Sequence, residues 1–469
     1  LLPITAVPAQ QGSQAQAFAH ILNLQFNEAR AAAQKLPLLP SIYYSSLADM
    51  VELLVLEKPA LFAAYETQWE SRLNKLSTAT PSAEKYYTLA ELRLQWAVIN
   101  LKFGHELQAA WQLRQSYLAA QACRQQHPHY EPIRKTWGIL NIMLGTVPDK
   151  YQWVLRMLNL RGSVEGGLLE LNRVSRTAQV HGAEARILLA LSQSYLLQQN
   201  ETALALLEEM AQTHPAQLVW FLASAIALKS GQAGKAQTFL DSLIRPAQPC
   251  PIPYAHYLRG EALLASGNYN QAIQAYRQFI ADYDGENFVK DAWYKTGVCY
   301  ALANDSLQAE ACFGKAKKEG TNRTEADRYA QAQLNDSPWP HPVIAKLRYA
   351  TDGGYYQQAL KLAQQHARDS FPSKKDSVEF LYRTARLYHK LAYTDTCLVL
   401  YQQTIESAGP HAWYFAPNAC LQTGYILKQR GDYAEAEKYF RKALTYSGHP
   451  YKNSIDSKAQ AALASLKKK

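Results

Sequence analysis

The sequence predicts an all-α chain, a right-handed α-solenoid of antiparallel helix pairs. Three observations predict it. Between Asp291 and Lys317 an aromatic, a small residue and an aromatic (Trp293, Gly297, Tyr300) fall at helical spacing. A small residue, an aromatic and a small residue (Ala309, Phe313, Ala316) follow on a second helix. The pattern recurs along the chain, and no alternating run is long enough to argue for a sheet. Antiparallel helices approach closely only where small side chains let their backbones meet, and large rings fill the gaps beside them. One such pair cannot bury its own apolar face, so it needs neighbours above and below.

Residues 1–9 open Leu1-Leu2-Pro3-Ile4-Thr5-Ala6-Val7-Pro8-Ala9. They read as the remnant of a signal peptide, with Val7 and Ala9 as the small residues before a cleavage site. The expected location is therefore exported, periplasmic or cell envelope, with the cytoplasm as the alternative. No Cys stands at the cleavage point to carry a lipid. No later window reaches the composition of a transmembrane span.

Residues 10–178 are expected to form a less regular helical-repeat region. Phe26, Ala29 and Ala33 mark the second helix of a pair. Ala83 to Phe103 and Glu106 to Gln126 carry apolar residues at helical spacing and are divided by Gly104. Pro37, Pro40, Pro59 and Pro81 punctuate helix ends.

Residues 179–451 form the regular array. Leu188, Tyr195 and Leu204 suggest a unit with a short turn, and Trp220, Gly231, Ala236 and Leu240 another. Gly260 is followed by Gly267, Tyr269, Ala272 and Tyr276. Gly354 leads Tyr356, Ala359 and Ala363, and Ala385 leads Tyr388, Cys397 and Tyr401. Gly424 leads Gly431, Tyr433, Ala436, Phe440 and Ala443. The spacings from Gly260 to Gly297 and from Ala385 to Gly424 exceed by a few residues the roughly 34-residue norm of the tetratricopeptide repeat, which this pattern resembles. Residues 452–469 read as a capping helix and the basic tail Lys467-Lys468-Lys469, the polar end that an open stack needs.

Composition narrows the function. Hydrophobic residues make up 48% and charged residues 19% of the chain, which excludes a disordered protein. The net charge of +10 invites a nucleic-acid partner. Acids are interspersed with the bases throughout, so a solvated, mildly basic surface is the preferred reading and no nucleic acid is expected. Most of the 30 tyrosines fall at repeat core positions, where they pack. The six cysteines (Cys123, Cys250, Cys299, Cys312, Cys397, Cys420) show no metal-ligand spacing. Cys299 and Cys312 lie on the two helices of one repeat and are either bridged or, preferably, free buried thiols.

Catalytic motifs are missing from the sequence. His105-Glu106 begins like a zinc-protease motif, but Ala109 stands where the second ligand is needed. His127-Pro128-His129 reads as a surface turn. Gly162 to Gly167 is glycine-rich without the Lys-Ser or Lys-Thr of a phosphate loop. A non-enzyme without cofactor or metal is expected.

A separate signal runs from Trp137 to Leu171. An apolar helix carries Gly138 and Asn141 and stops at Pro148, a leucine-rich helix around Val154 to Leu158 follows, and a turn brings Gly162, Gly167 and Leu168. This run resembles the signature of the tetratricopeptide repeat protein 39 family, which includes the inclusion-body clearance proteins of eukaryotes. Asn159 replaces the first turn glycine, and Ser163 and Val164 replace an acid-Arg pair. The resemblance implies a non-enzymatic scaffold, with some members tied to lipid or protein homeostasis. Gly162 is expected to be a left-handed helix cap, and Gly166-Gly167 to make room for helix contact.

In such stacks the first helices line a concave face. Just after the small residue they would present Glu261, Val298, Arg348, Arg386 and Tyr425. Before it come Tyr257, Tyr294, Lys295, Tyr382, Arg383, Leu421 and Gln422, and one turn later His389, Lys390 and Lys428. Arg383, Arg386 and Lys390 share one helix face. The expected function is a scaffold that accepts a protein or acidic peptide, or a C-terminal carboxylate, through forked Arg hydrogen bonds. The alternative is a glycan- or lipid-handling envelope protein that uses the groove tyrosines as stacking platforms. Exposure of those rings separates the two, because a buried ring cannot stack a sugar.

Overall fold

The computed structural model describes residues 9–147, 152–177, 180–245, 252–337, 339–366 and 371–466. Residues 1–8, which hold most of the expected signal remnant, Pro148, Cys250 and the basic tail 467–469 lie outside the described residues. The chain divides into two compact units, one of Leu1–Arg259 with Ala275–Asn287 and one of Gly260–Gln274 with Phe288–Lys469. The described residues are helical, with no strand among them, as predicted.

The first unit is a succession of helix pairs from its beginning. Ala9–Leu22 packs on Phe26–Gln34, Leu38–Leu56 on Pro59–Thr78, and Ala83–Lys102 on Glu106–Gln126. Ile133–Gly145 packs on Val164–Ser175, with the short helix Gln152–Met157 between them in sequence. Val180–Leu191 packs on Asn200–Thr213, and Gln217–Lys229 on Ala233–Leu243. The first helix, Ala9–Leu22, also touches Val180–Leu191 and Gln217–Lys229, so the early and late pairs of this unit meet.

Local chemistry sets the ends. Pro37 precedes Leu38, Pro59 opens its helix, and the Ser82 hydroxyl accepts from the Lys85 amide at 3.1 Å. Gly104 turns the chain with φ 81° between the two helices that the sequence predicted there. One expectation changes: Leu38–Leu56 has the length and composition to cross a membrane. In this fold it is a core helix, with Tyr44, Ala48 and Leu53 buried and other apolar side chains lining an internal cavity.

The signature glycines divide their roles differently from expectation. Asn159, with φ 53°, is the left-handed residue, and Gly162 is not among the residues with positive φ. Gly162 is needed for space: a Cβ there would lie 2.4 Å from the Gly145 nitrogen. A Cβ on Gly167 would lie 2.5 Å from the Gly138 carbonyl oxygen, so this glycine lets two backbones touch. Gly166 instead gives its amide to the Ser163 cap at 3.1 Å. Gly167→Ala is expected to destabilise the first unit by about 1–3 kcal/mol through overpacking against fixed backbone. Urea denaturation checks it, and an unchanged midpoint would refute the close-contact role.

In the second unit Val289–Leu302 pairs with Ser306–Lys318, Pro342–Asp352 with Tyr356–Gln365, Lys374–Lys390 with Thr394–Ala408, and Phe415–Arg430 with Tyr433–Thr445. Lys452–Leu466 packs on the last pair. A Cβ on Gly297 or Gly424 would lie 2.6 Å from Phe313 or Phe440 respectively, so the predicted small-residue and ring positions interlock in both repeats. One helix was not foreseen: Glu325–Asp336 stands alone beside Val289–Leu302. The five described cysteines are buried and unbridged, Cys299 and Cys312 included.

Candidate functional site

The predicted groove residues of the second unit do not act as one surface. Tyr294 and Tyr382 are buried, at 4% and 1% exposure, as core rings beside Phe313 and Phe415. Tyr257, in the first unit, is buried against Tyr254, Tyr276 and Phe279. These three tyrosines are therefore corrected from groove to core. Val298 is buried as well.

Lys295 is buried between carboxylates, with Nζ 2.7 Å from Glu261 and 2.9 Å from Asp291. His389 places Nδ1 3.3 Å from the Tyr401 hydroxyl, and burial beside Lys390 and Arg386 pushes its pKa down. Lys390 is exposed, and Gln422 bonds Asn418 on its own helix. Tyr425 donates to the Lys458 carbonyl at 3.4 Å and Lys428 to the Ser465 hydroxyl at 2.7 Å, so both fasten the C-terminal helix.

What remains is a polar chamber of about 210 Å³ inside the second unit, where Arg348, Tyr382, Arg383, Arg386 and Leu421 do converge. Arg383 is almost fully buried. It bonds Glu379 at 2.7 Å and donates to the Tyr414 hydroxyl at 2.6 Å. Burial opposes its charge, but Tyr414 and Glu379 more than offset that and its pKa rises. Arg386 reaches Asp352 at 3.0 Å, and Arg348 shares the same carboxylate at 3.8 Å. Arg348 also donates to the Tyr329 hydroxyl and lies over that ring at 4.7 Å.

The chamber wall counts four cations (Arg348, Arg383, Arg386, Lys458) against two acids (Glu325, Asp352). It adjoins a cleft of about 720 Å³ that shares Glu325, Tyr414, Tyr451 and Ser454 and adds Trp413, Tyr329 and Lys375. Tyr414, Tyr451 and Lys458 were missed from sequence. Tyr414 caps Phe415–Arg430, whereas Tyr451 and Lys458 come from the last loop and the capping helix, and only the three-dimensional return of that helix places those two beside the arginines.

A second cluster escaped the sequence reading entirely. In the first unit Lys135 is 2% exposed. Its Nζ donates to the Tyr43 hydroxyl at 2.6 Å and to Glu184 at 2.7 Å, and lies 3.3 Å from Glu91. Tyr43 donates to the same Glu184 oxygen at 2.7 Å, Thr136 donates to Glu91, and His181 approaches Glu184 at 3.3 Å. Burial opposes the Glu184 charge, but Lys135 and His181 overcome it and hold the carboxyl down at about 2. The available signal was a charged residue on an apolar helix stripe: Lys135 stands one turn before Ile139 and two before Met143.

Two stretches of the chain match a known repeat family. Residues 254–285 and 417–449 match the family described as "Tetratricopeptide repeat". Both stretches coincide with predicted repeats, and neither reaches the Trp137 to Leu171 run. No curated protein matches the chain. Among solved structures, Naa15/Naa10 bound to HypK-THB is 15% identical at TM-score 0.29, covering 98% of this chain and 68% of that one. The Cut9-Hcn1 hetero-tetramer of the APC/C is 12% identical at TM-score 0.24, covering 98% and 97%. A monomeric mutant of IFIT1 with Gppp-AAAA is 13% identical at TM-score 0.31, covering 93% and 99%. Likenesses this low carry no argument about function.

Proposed function

We propose that this protein is a non-catalytic tetratricopeptide-type scaffold that binds a partner protein through an acidic segment or C-terminal carboxylate seated in the Arg348–Arg383–Arg386 chamber. Its repeats support a protein-binding role. One observation carries the acidic ligand: three guanidiniums and Lys458 share one small chamber with Glu325 and Asp352 on its wall and Glu379 bound to Arg383, four cations against three carboxylates. Arg383 and Arg386 are held by Glu379 and Asp352, so their forks are fixed rather than searching. Kinship with the tetratricopeptide repeat protein 39 family belongs to the same proposal, supported by the Gly138–Gly167 contact that two of the signature glycines make.

Sugar stacking on the tyrosines loses its support, because Tyr257, Tyr294 and Tyr382 are buried. Fluorescence anisotropy with a short labelled polyglutamate peptide tests the chamber. Arg386→Gln with Lys458→Gln is expected to weaken binding at least about tenfold, and added salt to weaken it further. Equal affinity of wild type and variant would sink the acidic-ligand reading.

A further inference from the structure

The first unit holds a half-open cavity of about 400 Å³, separate in residues and chemistry from the arginine chamber. Its walls come from the inner helices, and these share one gradient. On Leu38–Leu56 the lining residues run Tyr43, Leu47, Met50, Val51, Leu54 and Val55. On Ala83–Lys102 they run Glu91, Leu94, Gln95 and Val98, and on Ile133–Gly145 they run Lys135, Ile139 and Met143. The helix from Val180 gives Glu184, then Ile187, Leu188 and Leu191. On these four helices the first lining residue is polar and, Gln95 apart, the later ones are apolar, while Phe18, Ile21, Leu22, Leu218, Phe221 and Leu222 complete the apolar part, so one end of the cavity is charged. From Lys135 to Met143 the apolar stretch is ~12 Å long.

The chain from Val180 then makes a π-helical turn, Ser192–Leu196, which brings Ser192, Tyr195 and Leu196 to the same wall. Single π turns of this kind concentrate at functional sites. Tyr195 and Leu196 are exposed large hydrophobics.

The polar end is unbalanced. It holds two carboxylates, Glu91 and Glu184, against one ammonium, Lys135, whose donors already go to Tyr43, Glu184 and Glu91, and the His181 ring lies 3.3 Å from Glu184. Glu184 Oε1 and both amide atoms of Gln95 are buried without a hydrogen-bond partner, and both residues line the cavity. Leaving buried polar atoms unmatched is costly, and water or a ligand group that reaches them completes the set. The unmatched carboxylate oxygen calls for a donor, and Glu91 and Glu184 together favour a cationic one.

We propose that this cavity binds a single-chain amphiphile with a cationic, hydrogen-bond-donating head, an alkylamine, its ammonium toward Glu184 and Gln95 and its chain along Ile139, Met143 and Leu188. A fatty carboxylate would set a third anion beside Glu91 and Glu184. The cavity volume lies within the range of small-molecule pockets. This inference does not depend on the acidic-peptide reading.

Isothermal titration with dodecylamine, dodecanol and dodecanoate, each below its micelle concentration, tests it on the full chain. Dodecylamine is expected to bind one to one, at least tenfold tighter than dodecanoate. Val98→Trp, which fills the cavity from a half-buried position, is expected to abolish binding with an unchanged thermal midpoint. Gln95→Leu is expected to weaken the amine while the chain remains folded. No binding of the amine, equal binding of the carboxylate, or binding that survives Val98→Trp in a folded protein would each overturn the proposal. So would a cavity that refuses all three chains but accepts an amphipathic helical peptide.

Discussion

Lys135→Met is expected to destabilise the first unit by about 3–5 kcal/mol, because it strands Glu91 and Glu184 as buried charges with no cation between them. The cost lies in the broken set rather than in the ion pair itself. Adding Glu91→Gln and Glu184→Gln to the same chain is therefore expected to recover most of the loss. Acid reads the same cluster. Glu184 is held at about 2, below its ordinary value of 4.5. A carboxyl depressed in the folded state contributes stability that is complete above 4.5 and is lost as pH falls toward 2. The expected loss over that window is of order 3 kcal/mol, and it is expected to vanish in the triple variant. Urea titrations at pH 7 and in steps below pH 5 measure both effects. A Lys135→Met protein as stable as wild type would show that the cluster is solvated rather than buried.

Asp327→Ala is expected to cost about 3 kcal/mol in the second unit, much more than an ordinary helix cap. Asp327 is fully buried. One carboxylate oxygen accepts from the Phe288 amide at 2.8 Å and from the Thr324 hydroxyl at 2.6 Å, and the other accepts from the Asp291 amide at 3.0 Å. It thus closes the N-terminus of Val289–Leu302 from a different helix, and its removal orphans two backbone donors. Denaturant melts would show the loss, while Asp327→Asn, which keeps an acceptor, is expected to recover part of it. An Asp327→Ala midpoint within error of wild type would contradict this docking role.

The same residue shows where the sequence stops being legible. Repeats with a glycine opposite a phenylalanine, Gly297 with Phe313 and Gly424 with Phe440, were read correctly because a single steric rule fixes both partners. Glu325–Asp336 has no partner helix, so it carries no repeat pattern, and its anchor is a carboxylate reaching across to another helix. The tyrosine error has a related cause. In a repeat, inner-helix positions near the small residue face either the groove or the next helix, and spacing alone does not separate them. Tyr257, Tyr294 and Tyr382 took the buried side.

The arginines were legible in part. Arg383, Arg386 and Arg348 were placed on one surface and do meet, but Asp352, which binds two of them, went unnoticed. The Lys135 cluster was invisible for another reason: its members Tyr43, Glu91, Lys135 and Glu184 come from four separate pairs, and only the fold brings them together.

The most direct test of the scaffold account is a site-specific photocrosslink from the arginine chamber. A crosslinking residue replaces the exposed Lys458 at the chamber wall, and a control replaces Lys438, exposed on the outer helix Tyr433–Thr445. The account predicts one defined protein captured from Lys458 and not from Lys438, displaced by polyglutamate and lost with Arg386→Gln. The same capture from both positions, or capture indifferent to polyglutamate and to Arg386→Gln, would contradict it.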